Sequence, residues 1–236
     1  MKIKDVFFYI GYDPKEDIAY RVCKQSLINR STISISVKSL KLYELVAKFF
    51  YTRSIDPLAS TEFTYSRFLI PALMNYQGWA VFCDCDFLFF EDISLLFDSL
   101  DGDKALYCVQ HDYTPKEKHK MDGQKQTIYP RKNWSSFMVF NCSHPSNKKL
   151  TKEVVNCESG SFLHQLKWLR DSEIGSLDER WNWLEGWTSN HNKLEPFAVH
   201  FTRGGPWFDK WQEVEFASDW IRERDIYLQN KFKIDY

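Results

Sequence analysis

No charge of one sign dominates this chain. Its 236 residues carry 31 Lys and Arg against 32 Asp and Glu, a formal net charge of −1. No global field therefore draws it to nucleic acid or to an anionic lipid surface. No apolar run approaches the roughly 20 residues a membrane helix needs; VFFYI, residues 6–10, is of strand length. There is no Cys-x-x-Cys, no zinc-like cysteine pairing, no internal repeat, no clean linker and no visible secretory leader. The six cysteines, Cys23, Cys83, Cys85, Cys108, Cys142 and Cys157, are accordingly expected as reduced thiols of a cytoplasmic protein. Also missing is the second acidic cluster with basic grip residues that a two-metal phosphoester hydrolase or nucleotidyltransferase tends to carry.

What remains is a globular composition, 44% hydrophobic and 27% charged, with aromatics at 17% and 9 Trp. So many rings imply either sugar-stacking surfaces or an aromatic core, and the core reading is the stronger. The length suits one α/β domain over 1–236, with about 208–236 as a helical tail. DVFFYIGYDP (5–14) reads as a buried strand ending at Gly11. A helix should follow, with Ala19, Val22, Cys23, Ser26 and Leu27 on its apolar face, and then an alternating strand, TISISVKSL (32–40). That is the β-loop-α-β opening of a Rossmann-like sheet. Residues 60–78 carry a helical stripe around Pro71, which kinks or restarts the helix. Further strands are expected over 104–110, 135–141 and 197–201, and helices near 94–100, 147–156 and 160–170. The polar stretch 111–133 reads as a long loop, of the kind that often serves as a lid.

The stretch WAVFCDCDFLFFEDI (79–93) embeds Asp84 and Asp86 in an apolar, aromatic run. Buried charge is costly without a partner. Read as one central strand, it projects both carboxylates to the same side, at the carboxyl edge where open α/β sheets bind ligands. Two carboxylates this close repel unless a cation sits between them, and a divalent metal carrying a diphosphate meets that need. Strand-end carboxylates bonded to backbone amides are the alternative.

TYSRFLIPALMNYQGWAVFCDCDFLFFEDI (64–93) resembles the core of retaining family-8 glycosyltransferases, the glycogenin-like and bacterial lipopolysaccharide galactosyltransferases, and more broadly the small bacterial and viral Asp-x-Asp enzymes of the GT-A fold. HFTRGGPW (200–207) resembles a second piece of that family. The resemblance implies a GT-A fold, a mostly parallel, Rossmann-like mixed sheet flanked by helices. It implies Mn²⁺ (or Mg²⁺) held by Asp84, Asp86 and His200, a mixed shell that fits Mn²⁺ somewhat better. It also implies a metal-dependent glycosyltransferase with a nucleotide-sugar donor, UDP-linked by preference, and a glycan or glycolipid acceptor.

By the same resemblance Tyr12 and Asp13 would hold the nucleoside, and Arg67 the donor sugar or its phosphates, while Asp84 would share metal and ribose. Ser135, Ser136 and Asn141 are candidate partners of the donor sugar. The family's lysine before Pro-Trp is replaced by Gly205, so Arg203 or the amides of Gly204 and Gly205 would grip the diphosphate. The family's Asp-Gln-Asp segment finds its nearest analogue in FLHQLKW (162–168), with His164 and Gln165 in the first two places. Retention is the outcome the family implies. An inverting enzyme would need a base, for which Asp112 and Asp178 are the candidates. Trp181, Trp183 and Trp187 could form an acceptor platform, against which stands a Trp-rich core. A silent nucleotide-sugar or carbohydrate binder that keeps the fold is the remaining alternative.

Overall fold

The computed structural model describes residues 6–54, 56–57, 59–112, 130–188 and 194–234. Most of the expected long loop, residues 113–129, lies outside the described residues. The first strand, β1 (Val6–Gly11), leads through a single 3₁₀ turn into α1 (Asp17–Arg30) and then β2 (Ile35–Leu40), which pairs parallel to β1. The buried face of α1 is Ala19, Val22, Cys23, Ser26 and Leu27, the stripe its apolar spacing specifies.

After the short α2 (Leu42–Ala47), the helical stripe expected over residues 60–78 is shorter than its pattern and restarts at Pro71. It forms a 3₁₀ turn (Ser66–Leu69) and one turn of helix, α3 (Ile70–Leu73), with Pro71 in its first turn. A proline restarts a helix there because its missing N–H would have had no intrahelical acceptor. Beyond α3 the backbone turns left-handed at Asn75, Tyr76 and Gly78, and β3 (Trp79–Cys83) begins.

The apolar run that reads as one long strand is two strands in two sheets. β3 stops at Cys83 and β4 (Phe87–Phe89) starts after the Asp84–Asp86 turn. The chain continues through a 3₁₀ segment (Ile93–Ser99), β5 (Leu106–Cys108), β6 (Phe137–Asn141), α4 (Lys152–Cys157), α5 (Gly160–His164), β7 (Ile174–Ser176), β8 (Trp183–Leu184), β9 (Ala198–His200) and α6 (Ala217–Ile234). The large sheet has six strands in the order β2-β1-β3-β6-β5-β7. β6 runs antiparallel to both its neighbours, and the remaining pairs are parallel. The small sheet is β4-β9-β8.

This is an open mixed sheet flanked by helices, the architecture of the GT-A fold. β3 and β6 are buried along their whole length, which is why they are apolar on both faces. A second apolar cluster (Val22, Leu88, Trp183, Val199, Phe201 and Trp220) joins the small sheet to α1 and α6. No helix among the described residues is long and apolar enough to cross a membrane.

Candidate metal and donor site

The break between β3 and β4 builds the site. The Asp84 amide donates to the Ser136 carbonyl at 2.9 Å, fixing the turn to the large sheet. The Asp86 carbonyl accepts from the Phe201 amide at 3.0 Å, fixing it to the small one. Phe87 pairs with His200 across β4 and β9, and their rings stack at 4.5 Å and 15°. One ligand atom from each of Asp84, Asp86 and His200 lies within 4.8 Å of the others. The three are joined because a turn after β3 meets the last residue of β9, not because a strand alternates.

Each side chain is held ready. Arg67 Nη1 sits 2.7 Å from Asp84 Oδ1 and donates to the Ser135 carbonyl at 2.9 Å. Arg67 is only 5% exposed, and its guanidinium lies over the Phe63 and Phe82 rings. Arg67 is thus committed to Asp84, whose charge it offsets, rather than reaching outward. His200 is 2% exposed, and its Nδ1 lies 3.1 Å from Asn182 Oδ1. Asn182 Nδ2 donates to Ser136 Oγ at 2.9 Å and to the Asn133 carbonyl at 3.3 Å. The amide orientation is therefore fixed: Oδ1 must accept, so His200 Nδ1 is the donor. Nε2 is left facing Asp86 Oδ1 at 3.4 Å. An imidazole oriented through its other nitrogen is the usual arrangement of a metal-binding histidine.

The donor set fits a divalent cation. Asp86 Oδ1 is buried and accepts no hydrogen bond from the described residues. Burial raises the Asp84 carboxyl above its ordinary range and Asp86 adds to this, while Arg67 and His200 oppose it. A buried carboxylate oxygen without a hydrogen-bond donor, with a second carboxylate beside it, calls for a positive ion. Two residues absent from the sequence expectation also face this space. Burial, and then Asp86, Asp13 and Asp84, push Glu16 up to about 8. Burial, and then His200, lower His111 to about 3, so its imidazole is neutral; its buried Nε2 has no partner among the described residues.

The remaining candidates divide. Asp13 is 5% exposed and accepts from the Lys15 and Glu62 amides. Tyr12 donates to Asp17 at 3.0 Å and lies under Lys41. Ser135 and Ser136 border the Asp84 turn, with Ser135 Oγ 2.9 Å from His164 Nδ1 and Ser136 Oγ donating to Asn133. His164 therefore connects through Ser135 to Arg67, whereas Gln165 Nε2 is satisfied locally by Ser161 at 3.0 Å.

Other expectations are corrected. Asn141 pairs with Trp79 whereas Phe137 pairs with Cys83, which puts Asn141 about 14 Å down the strand from the site; its side chain donates to the Gly102 carbonyl. Arg203 is bound to both oxygens of Glu185, at 3.0 and 2.9 Å. The Gly204 amide is spent on the Phe201 carbonyl at 2.8 Å. Gly205 packs so closely that a Cβ would stand 1.9 Å from the Trp207 ring. Arg203 and the Gly204 amide are not arranged as a diphosphate grip; all three residues shape the turn that follows His200. Trp181 and Trp183 are 3% and 2% exposed, core residues that cannot present a ring face to an acceptor; of the three, only Trp187 is partly exposed. Asp178 caps the 3₁₀ turn after it and is chelated by Arg180, which lowers its proton affinity and makes it a poor base. Asp112 is exposed, at the edge of the described residues.

A signal for Asn182 was present: it is an amide between Trp181 and Trp183, as anomalous there as Asp84 is among its apolar neighbours. Glu16 carried none, since an acidic residue in the first turn of a helix is ordinary.

Known proteins share this architecture. The structure of the bifunctional glycosyltransferase WbbM superposes with a TM-score of 0.68 at 17% identity, over 94% of this chain and 50% of that one. GlyE of Streptococcus pneumoniae TIGR4 gives 0.60 at 14%, over 98% of this chain and 64% of that one. The galactosyltransferase LgtC, solved with donor and acceptor sugar analogues, gives 0.57 at 13%, over 94% and 95%. The chain thus spans half of WbbM and under two thirds of GlyE, and these likenesses establish the fold alone. Protein CDI of Arabidopsis thaliana is 51% identical over 235 residues, 96% of this chain and 89% of that protein. The model of Glycosyl transferase family 8 matches residues 19–210, a span that takes in most of α1, the Asp84–Asp86 turn and His200. The chain belongs to that family, and is an enzyme that moves a sugar from a nucleotide-sugar donor.

Proposed function

We propose that this chain transfers a hexosyl or related group from a UDP-sugar to a hydroxyl of a glycan or lipid-linked acceptor, with retention at the anomeric carbon. One observation carries the reading: Asp84, Asp86 and His200 converge within 4.8 Å, with a buried Asp86 oxygen that accepts no hydrogen bond and His200 Nε2 facing it at 3.4 Å. A divalent cation bound there would supply Lewis-acid stabilisation of the charge that grows on the departing diphosphate. The chain's own residues do the rest. Arg67 offsets the charge of Asp84 and orients it, Asn182 holds the His200 ring through Nδ1, and the neutral His111 offers a ring nitrogen to the sugar or the acceptor.

In the transfer, the acceptor oxygen bonds to the anomeric carbon as the bond to the phosphate oxygen breaks. The bonding pair leaves with UDP, and the acceptor proton can pass to the same phosphate oxygen. Retention by this route needs no side-chain base, in keeping with the chelation of Asp178 by Arg180. The whole chain serves as one catalytic domain, and the reading of its cysteines as reduced thiols puts the reaction in the cytoplasm.

The test is UDP release from UDP-sugars with and without Mn²⁺. Asp86→Ala and His200→Ala should each abolish the Mn²⁺-dependent rate while unfolding stays cooperative. Full activity in EDTA would overturn the proposal.

A further inference from the structure

α2 ends in a turn that suits glycine and is filled by phenylalanine. The Phe50 amide donates to the Leu45 carbonyl at 2.9 Å and the Phe49 amide to the Val46 carbonyl at 3.0 Å, the paired bonds of a left-handed helix stop. Phe49 takes the left-handed position at φ 56°, where a Cβ is unfavourable and glycine is usual. Little of its surface is buried in return: it is 78% exposed, the most of any large apolar residue among the described residues. The turn itself is firmly held. Leu45 and Tyr51 on either side are buried, and Asn156 of α4 donates to the Phe50 carbonyl at 2.9 Å and accepts from the Thr52 amide at 2.8 Å.

Phe49 has company. Tyr43 and Val46, one turn apart on α2, are 59% and 49% exposed. Lys38, Lys41 and Lys48 flank them against a single acid, Glu44, which already faces Lys41 at 3.7 Å. In a chain of net charge −1 this is a local excess of positive charge around apolar tips. Lys41 Nζ stands 5.7 Å from the Tyr43 ring and 5.2 Å from the ring of Tyr12, just past β1. Gly11 pairs with Leu40 and Ile10 with Cys83, so α2 leaves the sheet at the edge that carries Asp84 and Asp86. A second copy of this chain is a poor fit for the patch. A whole aromatic side chain offers about 150–250 Å², so the exposed parts of the three residues supply about 300–400 Å². A stable protein interface covers about 800 Å² per partner.

We propose that Tyr43, Val46 and Phe49 form an interfacial anchor that dips into the headgroup region of an anionic bilayer, with Lys38, Lys41 and Lys48 at the lipid phosphates. Apolar tips rimmed by lysines are what such a surface takes, because the rings enter the acyl boundary while the ammonium groups stay with the headgroups. The anchor goes beyond the transfer reaction and does not depend on it. It holds toward the lipid the sheet edge where the metal ligands sit.

The experiment is co-sedimentation of the full chain with vesicles of phosphatidylcholine and phosphatidylserine, at low and high salt, beside vesicles of phosphatidylcholine alone. Phe49→Asn is the variant of choice, because asparagine tolerates the left-handed conformation. Its Tm should hold or rise while its affinity for the anionic vesicles falls about tenfold or more. Val46→Glu is the second variant and should act in the same direction. Wild-type binding should weaken as salt screens the lysines. A wild type that stays in solution with anionic vesicles would overturn the proposal, as would a Phe49→Asn protein that sediments as wild type does. Equal binding to phosphatidylcholine alone would overturn it too. A dimer in light scattering that Phe49→Asn dissolves, without vesicle binding, would give the patch to self-association instead. Each of these results leaves the metal site and the transfer reaction standing.

Discussion

Asn182→Ala tests whether the imidazole of His200 is held for a metal or merely packed. The substitution deletes an acceptor 3.1 Å from Nδ1 and two donor contacts, 2.9 Å to Ser136 Oγ and 3.3 Å to the Asn133 carbonyl. At about 1 kcal/mol for each buried hydrogen bond, the loss in folding stability is about 3 kcal/mol. For a domain of this size that lowers Tm by roughly 6–12 °C. The effect on the site is separate. Without Oδ1 nothing selects the tautomer that frees Nε2, so Mn²⁺ affinity should fall about 10- to 100-fold. Asn182→Asp splits the two effects. Its carboxylate still accepts from Nδ1 but cannot donate to Ser136 or Asn133, so stability falls while Mn²⁺ affinity stays within a few-fold of wild type. Calorimetric titration with Mn²⁺, beside thermal unfolding, reads both. A folded Asn182→Ala protein that binds Mn²⁺ as tightly as wild type would refute the argument that this amide orients the ligand.

Further outcomes are expected elsewhere in the chain. Gly205→Ala should cost about 1–3 kcal/mol through overpacking, since its Cβ would meet the Trp207 ring at 1.9 Å; an unchanged Tm and near-ultraviolet circular dichroism would contradict the packing. Glu173 has its carboxyl lowered from 4.5 to about 2, chiefly by the Ser146 hydroxyl and then by the Arg170 amide. A depressed acid stabilises the fold above its unfolded value and loses that contribution as pH falls. The stability gap between wild type and Glu173→Gln, measured with denaturant, should therefore shrink between about pH 5 and pH 2; a gap independent of pH would show the carboxylate to be idle.

The parts of the fold legible in the sequence are those where one residue pattern has one structural solution. The α1 face follows from its spacing, and Asp84 and Asp86 declare themselves because charge in an apolar run demands a partner. The boundary between β3 and β4 was not legible, because Phe82 and Cys83 before the turn are as apolar as Phe87 and Leu88 after it. Periodicity cannot say that such neighbours belong to different sheets. Trp181 and Trp183 failed as a platform for a related reason: a tryptophan reads the same whether its ring faces sugar or another ring. The grip expected of Arg203 was lost to Glu185, a partner 18 residues away in sequence that only the fold brings near. Asn182 and Glu16 gain their meaning wholly from what surrounds them in space.

The seam between the two sheets has a mechanical corollary. The Asp84 end of the turn is sewn to the large sheet and the Asp86 end to the small one, with His200 on the small sheet's middle strand. An ion grasped by all three is a rivet through both layers. Without it the layers would be free to breathe against each other, and amide exchange along β4 and β9 should be faster in EDTA than in Mn²⁺.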